Sequence, residues 1–277
     1  MNNSSDRYGA TGCVGRFHNL GRDAIKLCFA NLQDYSLQTL ESHSLPWIGD
    51  DELARYKRYR NPRRSKQFLL GQALLRVALS RITEIKPQQW HFTAGMTGKP
   101  IIKSPLPDDE CHFSVSHSGE HVVVGLARYA AFGIDVESCT RQRYLEKIAQ
   151  RHFAPQEIAE LLSLPKSQQL ARFYALWTLK EAWLKAGGSQ QTPSRKILHK
   201  FSFGFATDTD EIEFHVDEPL FVDTRAWKFW QLEVMPDHAI AVAINGGDQR
   251  PVRSINAYHF DSFDQIREVP LTILRRG

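Results

Sequence analysis

Residues 121–137 read His-Val-Val-Val-Gly-Leu-Ala-Arg-Tyr-Ala-Ala-Phe-Gly-Ile-Asp-Val-Glu. The first seven form a β-branched run that suits a core strand, and residues 130–136 give a second strand after a tight connection. On either side of this pair the chain alternates in character. Before it, residues 50–59 suit a short helix that Asn61-Pro62 breaks. Residues 63–82 follow as a long amphipathic helix, with Leu70, Leu74, Val77 and Leu79 on its apolar face. Strand patterns occur at residues 24–32, 89–92 and 111–116. After the pair come three helices, at residues 144–152, 155–162 and 168–186, the last stopped by Gly187-Gly188. Strands return at residues 200–205, 211–216, 227–234 and 238–244. This order predicts an α+β fold of two halves of similar build, each a small antiparallel sheet with packed helices, joined near residues 129–132. The expected division is a loose leader over 1–20, an N-terminal subdomain over 21–130, a C-terminal subdomain over 131–246, and a tail over 247–277 without a clear core pattern.

Composition narrows the class. The 277 residues are 42% hydrophobic and 24% charged, which excludes a collagen-like, membrane-spanning or wholly disordered chain. The N-terminal twenty residues have no apolar signal segment, and no 18-residue apolar run follows, so neither secretion nor membrane insertion is expected. Cys13, Cys28, Cys111 and Cys139 are scattered without a CxxC, which fits reduced thiols in a cytoplasm. The formal charge of +4 is uneven. Arg55, Lys57, Arg58, Arg60, Arg63, Arg64 and Lys66 crowd into twelve residues with no acid; the chain's +4 less those seven cations leaves the remainder at −3.

Five stretches carry chemistry. In Phe132-Gly-Ile-Asp-Val-Glu137, strand alternation puts Asp135 and Glu137 on one face. Two adjacent carboxylates repel unless a cation lies between them, and hard oxygen ligands suit Mg²⁺ shared with phosphates; a solvated edge-strand face has the same pattern. In Phe173-Tyr-Ala-Leu-Trp-Thr-Leu-Lys-Glu-Ala-Trp-Leu-Lys185, Trp177, Glu181 and Lys185 share a helical stripe with Lys180 beside it. Glu181 and Lys185 also satisfy an ordinary i,i+4 ion pair, worth only tenths of a kcal/mol. Phe113-Ser-Val-Ser-His-Ser-Gly119 collects hydroxyls, an imidazole and backbone amides that suit phosphate oxygens, or else makes a polar hairpin turn. It is no serine-hydrolase elbow, because a strand and not a helix follows. Gly95-Met-Thr-Gly-Lys-Pro100 is no P-loop: Thr93 stands where the first glycine belongs and Pro100 where the Ser/Thr belongs. A lysine on that turn still has reach for a phosphate. The basic run, with Tyr56 and Tyr59 interleaved, allows a nucleic-acid-binding reading. A solvated helix face, or a pocket for a small phosphorylated ligand, are the other readings. A nuclease site would need a lysine two residues past an acid, which residues 133–138 lack.

Taken jointly, Gly133-Ile-Asp-Val-Glu137 and Trp177-Thr-Leu-Lys-Glu-Ala-Trp-Leu-Lys185 resemble the paired motifs of the Sfp-type 4′-phosphopantetheinyl transferase family. The resemblance extends upstream to Gly98-Lys-Pro100, to Phe113–Gly119 and to the Leu69-Leu-Gly71 helix, spanning about residues 50 to 205 in the family's order. It implies a monomer of two pseudo-symmetric α+β halves with coenzyme A in the cleft between them. The implied activity is transfer of the phosphopantetheine arm to a serine of an apo acyl or peptidyl carrier protein, with release of adenosine 3′,5′-bisphosphate; fatty-acid, polyketide, polyunsaturated-fatty-acid and nonribosomal peptide pathways are all open to it. By this resemblance Asp135, Glu137 and Glu181 hold Mg²⁺, Glu181 or a water beside it is the base, and Lys180 and Lys185 pair with phosphates. Arg55, Lys99, Ser116 and His117 fall where members hold the 3′-phosphate and adenine end. Gln67 departs from the family's arginine before the Leu-Leu-Gly turn, with Arg64 and Lys66 nearby. On this reading the ligands are coenzyme A and a carrier domain, with neither nucleic acid nor membrane as partner.

Overall fold

The computed structural model describes residues 20–95, 99–105, 111–140, 144–188, 194–206, 209–216, 222–246 and 251–277. The expected leader and Cys13 lie outside the described residues, as do Met96, Thr97 and Gly98 of the lysine turn. In chain order the main elements are β1 (Ala24–Asn31), α1 (Leu37–Ser44), α2 (Asp50–Lys57), α3 (Pro62–Ile82), β2 (His91–Ala94), β3 (Pro100–Ser104), β4 (His112–Ser118), β5 (His121–Ala127) and β6 (Phe132–Ser138). There follow α4 (Leu145–His152), α5 (Pro155–Ser163), α6 (Lys166–Lys185), β7 (Phe201–Phe205), β8 (Ile212–Val216), β9 (Trp227–Glu233), β10 (His238–Asn245), β11 (Ser254–Ser262), β12 (Gln265–Val269) and β13 (Thr272–Arg276).

Two sheets build the core. One has strand order β12-β11-β1-β5-β4 and the other β13-β9-β10-β6. Period-2 alternation sorts their side chains into layers. On β1, Ile25, Leu27 and Phe29 face Ile134, Val136, Ile240 and Val242 of the second sheet, while Cys28 and Ala30 face Leu70 and Leu74 of α3. On β10, Ala241 and Ala243 turn the other way, onto α6. The layers therefore run α3, first sheet, second sheet, α6. This is the α+β architecture expected, with one difference: β1 and β11 pair in parallel. Residues after 246 also depart from the expected coreless tail. β11 and β12 complete the first sheet and β13 edges the second, with Ala257, Phe260 and Ile266 buried. Among the described residues no helix is long and apolar enough to cross a membrane, and Cys28, Cys111 and Cys139 are free thiols.

Helix α3 starts where the sequence says it should. Asn61 caps it by accepting from the Arg63 N–H, and Pro62 occupies the first turn, where its missing N–H costs nothing. The tight β5–β6 succession needs Gly125: a Cβ there would lie 2.6 Å from the Phe132 ring.

The sheets also meet at a half-buried histidine pair. His121 and His238 sit edge to face with ring centroids 4.5 Å apart, and His121 Nδ1 and His238 Nε2 are buried without a hydrogen-bond partner. His238 Nδ1 lies 2.7 Å from the Pro236 carbonyl and so donates to it. Burial, aided by His238 and His259, pulls the His121 pKa down to about 4. Unfolded, the same imidazole titrates near its ordinary value, so the unfolded chain binds the extra proton first. His121 thus adds stability that is complete above about pH 6.5 and is lost as pH falls toward 4. Urea midpoints measured between pH 7.5 and 4.5 are expected to fall, and to fall less in His121→Gln.

Candidate active site

The two sheets touch along their edges, β4 against β6, and serines make the join. Ser114, Ser116 and Ser118 project from one face of β4. Their Oγ atoms accept from the N–H groups of Ile134, Val136 and Ser138, at 3.1, 3.2 and 3.0 Å. Alternate hydroxyls thereby satisfy an edge strand's unpaired donors without a continuous ladder. The same hydroxyls then act on the carboxylates of β6: Ser116 Oγ donates to Asp135 Oδ1 at 2.8 Å and Ser118 Oγ to Glu137 Oε2 at 2.7 Å. The Ser-x-Ser-x-Ser spacing of β4 and the Asp-x-Glu spacing of β6 are matched to each other.

Helix α6 supplies the other wall. It lies close on β6 because residue 133 is glycine; a Cβ there would fall 2.1 Å from the Ala182 carbonyl oxygen and 2.4 Å from the Ala186 nitrogen. This contact sets Glu181 and Lys185 beside Asp135. Gly133→Ala is expected to force α6 off the sheet, destabilising the fold by about 1–3 kcal/mol or more. It should also abolish activity, checked by thermal unfolding alongside a turnover assay.

Lys185 Nζ donates to Asp135 Oδ1 at 2.8 Å and to Ser116 Oγ at 2.7 Å. Ser116 then has its one donor and two acceptor sites occupied, so its hydroxyl positions Asp135. Asp135 is 5% exposed, and its Oδ2 is buried with no hydrogen-bond partner. Glu181 is likewise buried, and Arg195 Nε donates to its Oε1 at 2.6 Å, with Asp135 and Glu137 adding to the attraction. Among the described residues no group of three His, Cys, Asp or Glu side chains stands at metal-ligand spacing.

These groups line a cavity of about 670 Å³ whose other wall carries Asn61, Arg63, Arg64, Gln67, His117 and Gly119. Arg63 is tied to the Gly119 carbonyl at 2.6 Å and to Glu120 at 2.5 Å. A smaller slot of about 250 Å³ shares Arg64, Gln67 and His117, and is closed by Arg55, Tyr59, Phe68, Phe92 and Pro100. Arg55 lies at that end, its Nε donating to Tyr59 Oη at 3.1 Å. His117 bridges both spaces. Desolvation first, then the Lys185 and Arg64 charges, holds its imidazole below the ordinary range.

Two residues expected at phosphates are elsewhere. Lys180 is fully buried on another face of α6, paired with Glu157 Oε2 at 2.9 Å and donating to the Leu198 and Phe201 carbonyls at 2.6 Å each. One residue along a helix is a rotation of about 100°, which carries Lys180 away from the cavity that Glu181 faces. Lys99 does not line either cavity. Its ammonium bridges the Phe132 and Lys185 carbonyls at 2.9 and 3.0 Å, tying β6 to the end of α6. Burial and the Lys185 charge lower its pKa to about 8. Asp135, Glu137, Glu181, Lys185, Ser116 and His117 do converge. Arg195, Arg63 and Asn61 join them without having been singled out as site residues. Arg195 follows Glu181 by 14 residues in a segment with no periodicity to link them, whereas Arg63 lay in plain view within the basic run.

Known proteins share this arrangement of sequence. A family model described as the 4′-phosphopantetheinyl transferase superfamily matches residues 131–243, and one described as 4′-phosphopantetheinyl transferase, N-terminal, matches residues 39–128. The slr0495 protein of Synechocystis is 39% identical over 167 residues, covering 56% of this chain and 65% of that protein. The 4′-phosphopantetheinyl transferase HetI of Nostoc is 32% identical over 207 residues, 74% of this chain and 81% of HetI. The 4′-phosphopantetheinyl transferase Sfp of Bacillus subtilis is 33% identical over 144 residues, 52% of this chain and 62% of Sfp. The match thus spans less than two thirds of the Synechocystis and Bacillus proteins and four fifths of the Nostoc one. With both family models satisfied in succession and HetI matched over most of its length, the chain belongs to the 4′-phosphopantetheinyl transferase superfamily.

Proposed function

We propose that the protein transfers the 4′-phosphopantetheine arm of coenzyme A to a serine hydroxyl of an apo acyl or peptidyl carrier protein, with Mg²⁺, releasing adenosine 3′,5′-bisphosphate. The observation that carries this reading is the buried, unpartnered Oδ2 of Asp135 beside Glu137, Glu181 and Lys185 in one cation-rimmed cavity. An orphaned carboxylate oxygen is costly in the interior unless a ligand completes it.

The chemistry of the donor set suits a magnesium ion: three hard carboxylates, one with an oxygen already bare, and no thiolate among the cavity's lining residues; drawing the three to ligand distance requires their present cation partners to yield. Asp135, Glu137 and Glu181 would hold it, and it would neutralise charge developing on the pyrophosphate. Around it, Lys185 offers an ammonium to phosphate oxygens and Arg64 faces the same space. The smaller slot, with Tyr59, Phe68 and Phe92 on its walls, suits a flat heterocycle, with Arg55 at its mouth. In the transfer the carrier serine oxygen forms a bond to the β-phosphorus and the phosphoanhydride bond breaks. The electron pair leaves on the nucleotide phosphate, and the serine proton passes to Glu181 or to a water beside it.

Coenzyme A with Mg²⁺ is expected to raise the melting temperature. Incubation with a panel of apo carriers should add one phosphopantetheinyl group to at least one of them, read by mass spectrometry. No shift and no mass gain, alongside strongly salt-dependent DNA binding, would overturn the proposal in favour of a nucleic-acid protein using residues 55–66. Against that alternative, three of the seven cations there, Arg55, Arg63 and Arg64, turn into the two cavities.

A further inference from the structure

We infer that Arg195 is an internal stand-in for the divalent cation: it holds Glu181 while the metal is absent and must leave that carboxylate when the metal binds. This rests on the metal assignment proposed above. Two of the three cavity carboxylates are already neutralised by the chain's own cations, Asp135 by Lys185 and Glu181 by Arg195. The two pairs differ in kind. Lys185 reaches Asp135 from the same helix that carries Glu181, its side chain is 28% exposed, and it is pinned by Ser116 as well. Arg195 comes from outside the helix, its side chain is 59% exposed, and it grips Glu181 through Nε alone. Its guanidinium lies 5.2 Å from the Trp177 ring centroid, on the stripe of α6 that also carries Glu181.

That geometry makes Arg195 the movable member. The arginine end of the pair returns to water at little cost, and the arriving doubly charged ion takes over the charge of the buried Glu181, so the exchange is cheap. Without such a counter-ion Glu181 would be a buried carboxylate facing two others, Asp135 and Glu137, across the same cavity. Arg195 therefore keeps the empty site from repelling itself and sets the threshold at which metal displaces it. It is a positioning residue and touches no reacting atom.

The inference is tested without turnover, on coenzyme-free protein. Mg²⁺ or Mn²⁺ affinity, measured by calorimetry, is expected to be roughly five- to tenfold tighter in Arg195→Gln than in the wild type. Arg195→Lys should stay near the wild-type value. Metal titration of the wild type should also change tryptophan emission as the guanidinium leaves Trp177, and this change should vanish in Arg195→Gln. Unchanged or weaker metal binding in Arg195→Gln overturns the role. A wild type that binds no metal and modifies no carrier overturns the functional reading instead, so the two failures are distinct.

Discussion

Asp135→Asn is expected to lower the rate of phosphopantetheinyl transfer by about 10³-fold or more while leaving the protein folded. The substitution keeps shape and removes charge. An asparagine Oδ1 still accepts from Ser116 Oγ and Lys185 Nζ, the two donors that hold Asp135, so the β4–β6 join and the α6 contact survive. What is lost is the negative charge at Oδ2, the atom buried with nothing to satisfy it. An amide nitrogen there repels a cation where the carboxylate attracts one. Asp135→Ala is the poorer variant, because it also removes the oxygen that accepts from Ser116 Oγ and Lys185 Nζ and mixes a larger stability loss into the measurement. The check is a single-turnover assay with coenzyme A and an apo carrier at saturating Mg²⁺, with the melting temperature as control. Turnover within threefold of wild type would remove Asp135 from the metal-binding set.

The convergence of these side chains on one cavity is legible in the sequence because their spacing is dictated by secondary structure. Asp135 and Glu137 are two apart on a strand and Glu181 and Lys185 four apart on a helix, so each pair had to share a face whatever the tertiary fold. The resemblance points Lys180 at phosphates, and nothing local in the sequence names its partner in the structure. Glu157 looks like an ordinary first-turn glutamate, and it does cap α5 by accepting from the Ala154 N–H. Only the packing of α5 and β7 on α6 turns that cap into the counter-ion of a buried lysine. Lys99 misled for a related reason: a lysine on a turn next to a glycine suits a phosphate, and its actual acceptors are main-chain carbonyls, which no residue pattern announces. The final strands were illegible on different grounds. β11 pairs in parallel with β1 at the far end of the chain, and a register shift after Phe260 breaks its alternation. Helix α1 buries only Leu40 and Ser44, too few positions to show a period.

Lys180→Met is expected to destabilise the fold by about 3–5 kcal/mol, a large part of the 5–15 kcal/mol typical of a folded domain. The methionine fills the volume and lies among Phe153 and Phe201, so no cavity explains the loss. The cost comes from what stays behind. Glu157 keeps a buried carboxylate whose own pKa burial already pushes up, and the Leu198 and Phe201 carbonyls lose their donor. Urea midpoints at pH 7 read the effect. Adding Glu157→Gln to Lys180→Met should recover part of it, because the amide oxygen still accepts from the Ala154 or Phe203 N–H and no charge remains buried. The pair also separates the phosphate role that the family resemblance implies for Lys180 from the buried counter-ion role seen in the structure. A phosphate ligand would raise the KM for coenzyme A with little change in stability. A buried counter-ion does the reverse: the fraction of Lys180→Met that remains folded should bind coenzyme A with near-wild-type KM, because Glu181 and Lys185 face the cavity from the other side of α6 and keep their partners. A stability loss below about 1 kcal/mol with a raised KM would return Lys180 to the phosphates.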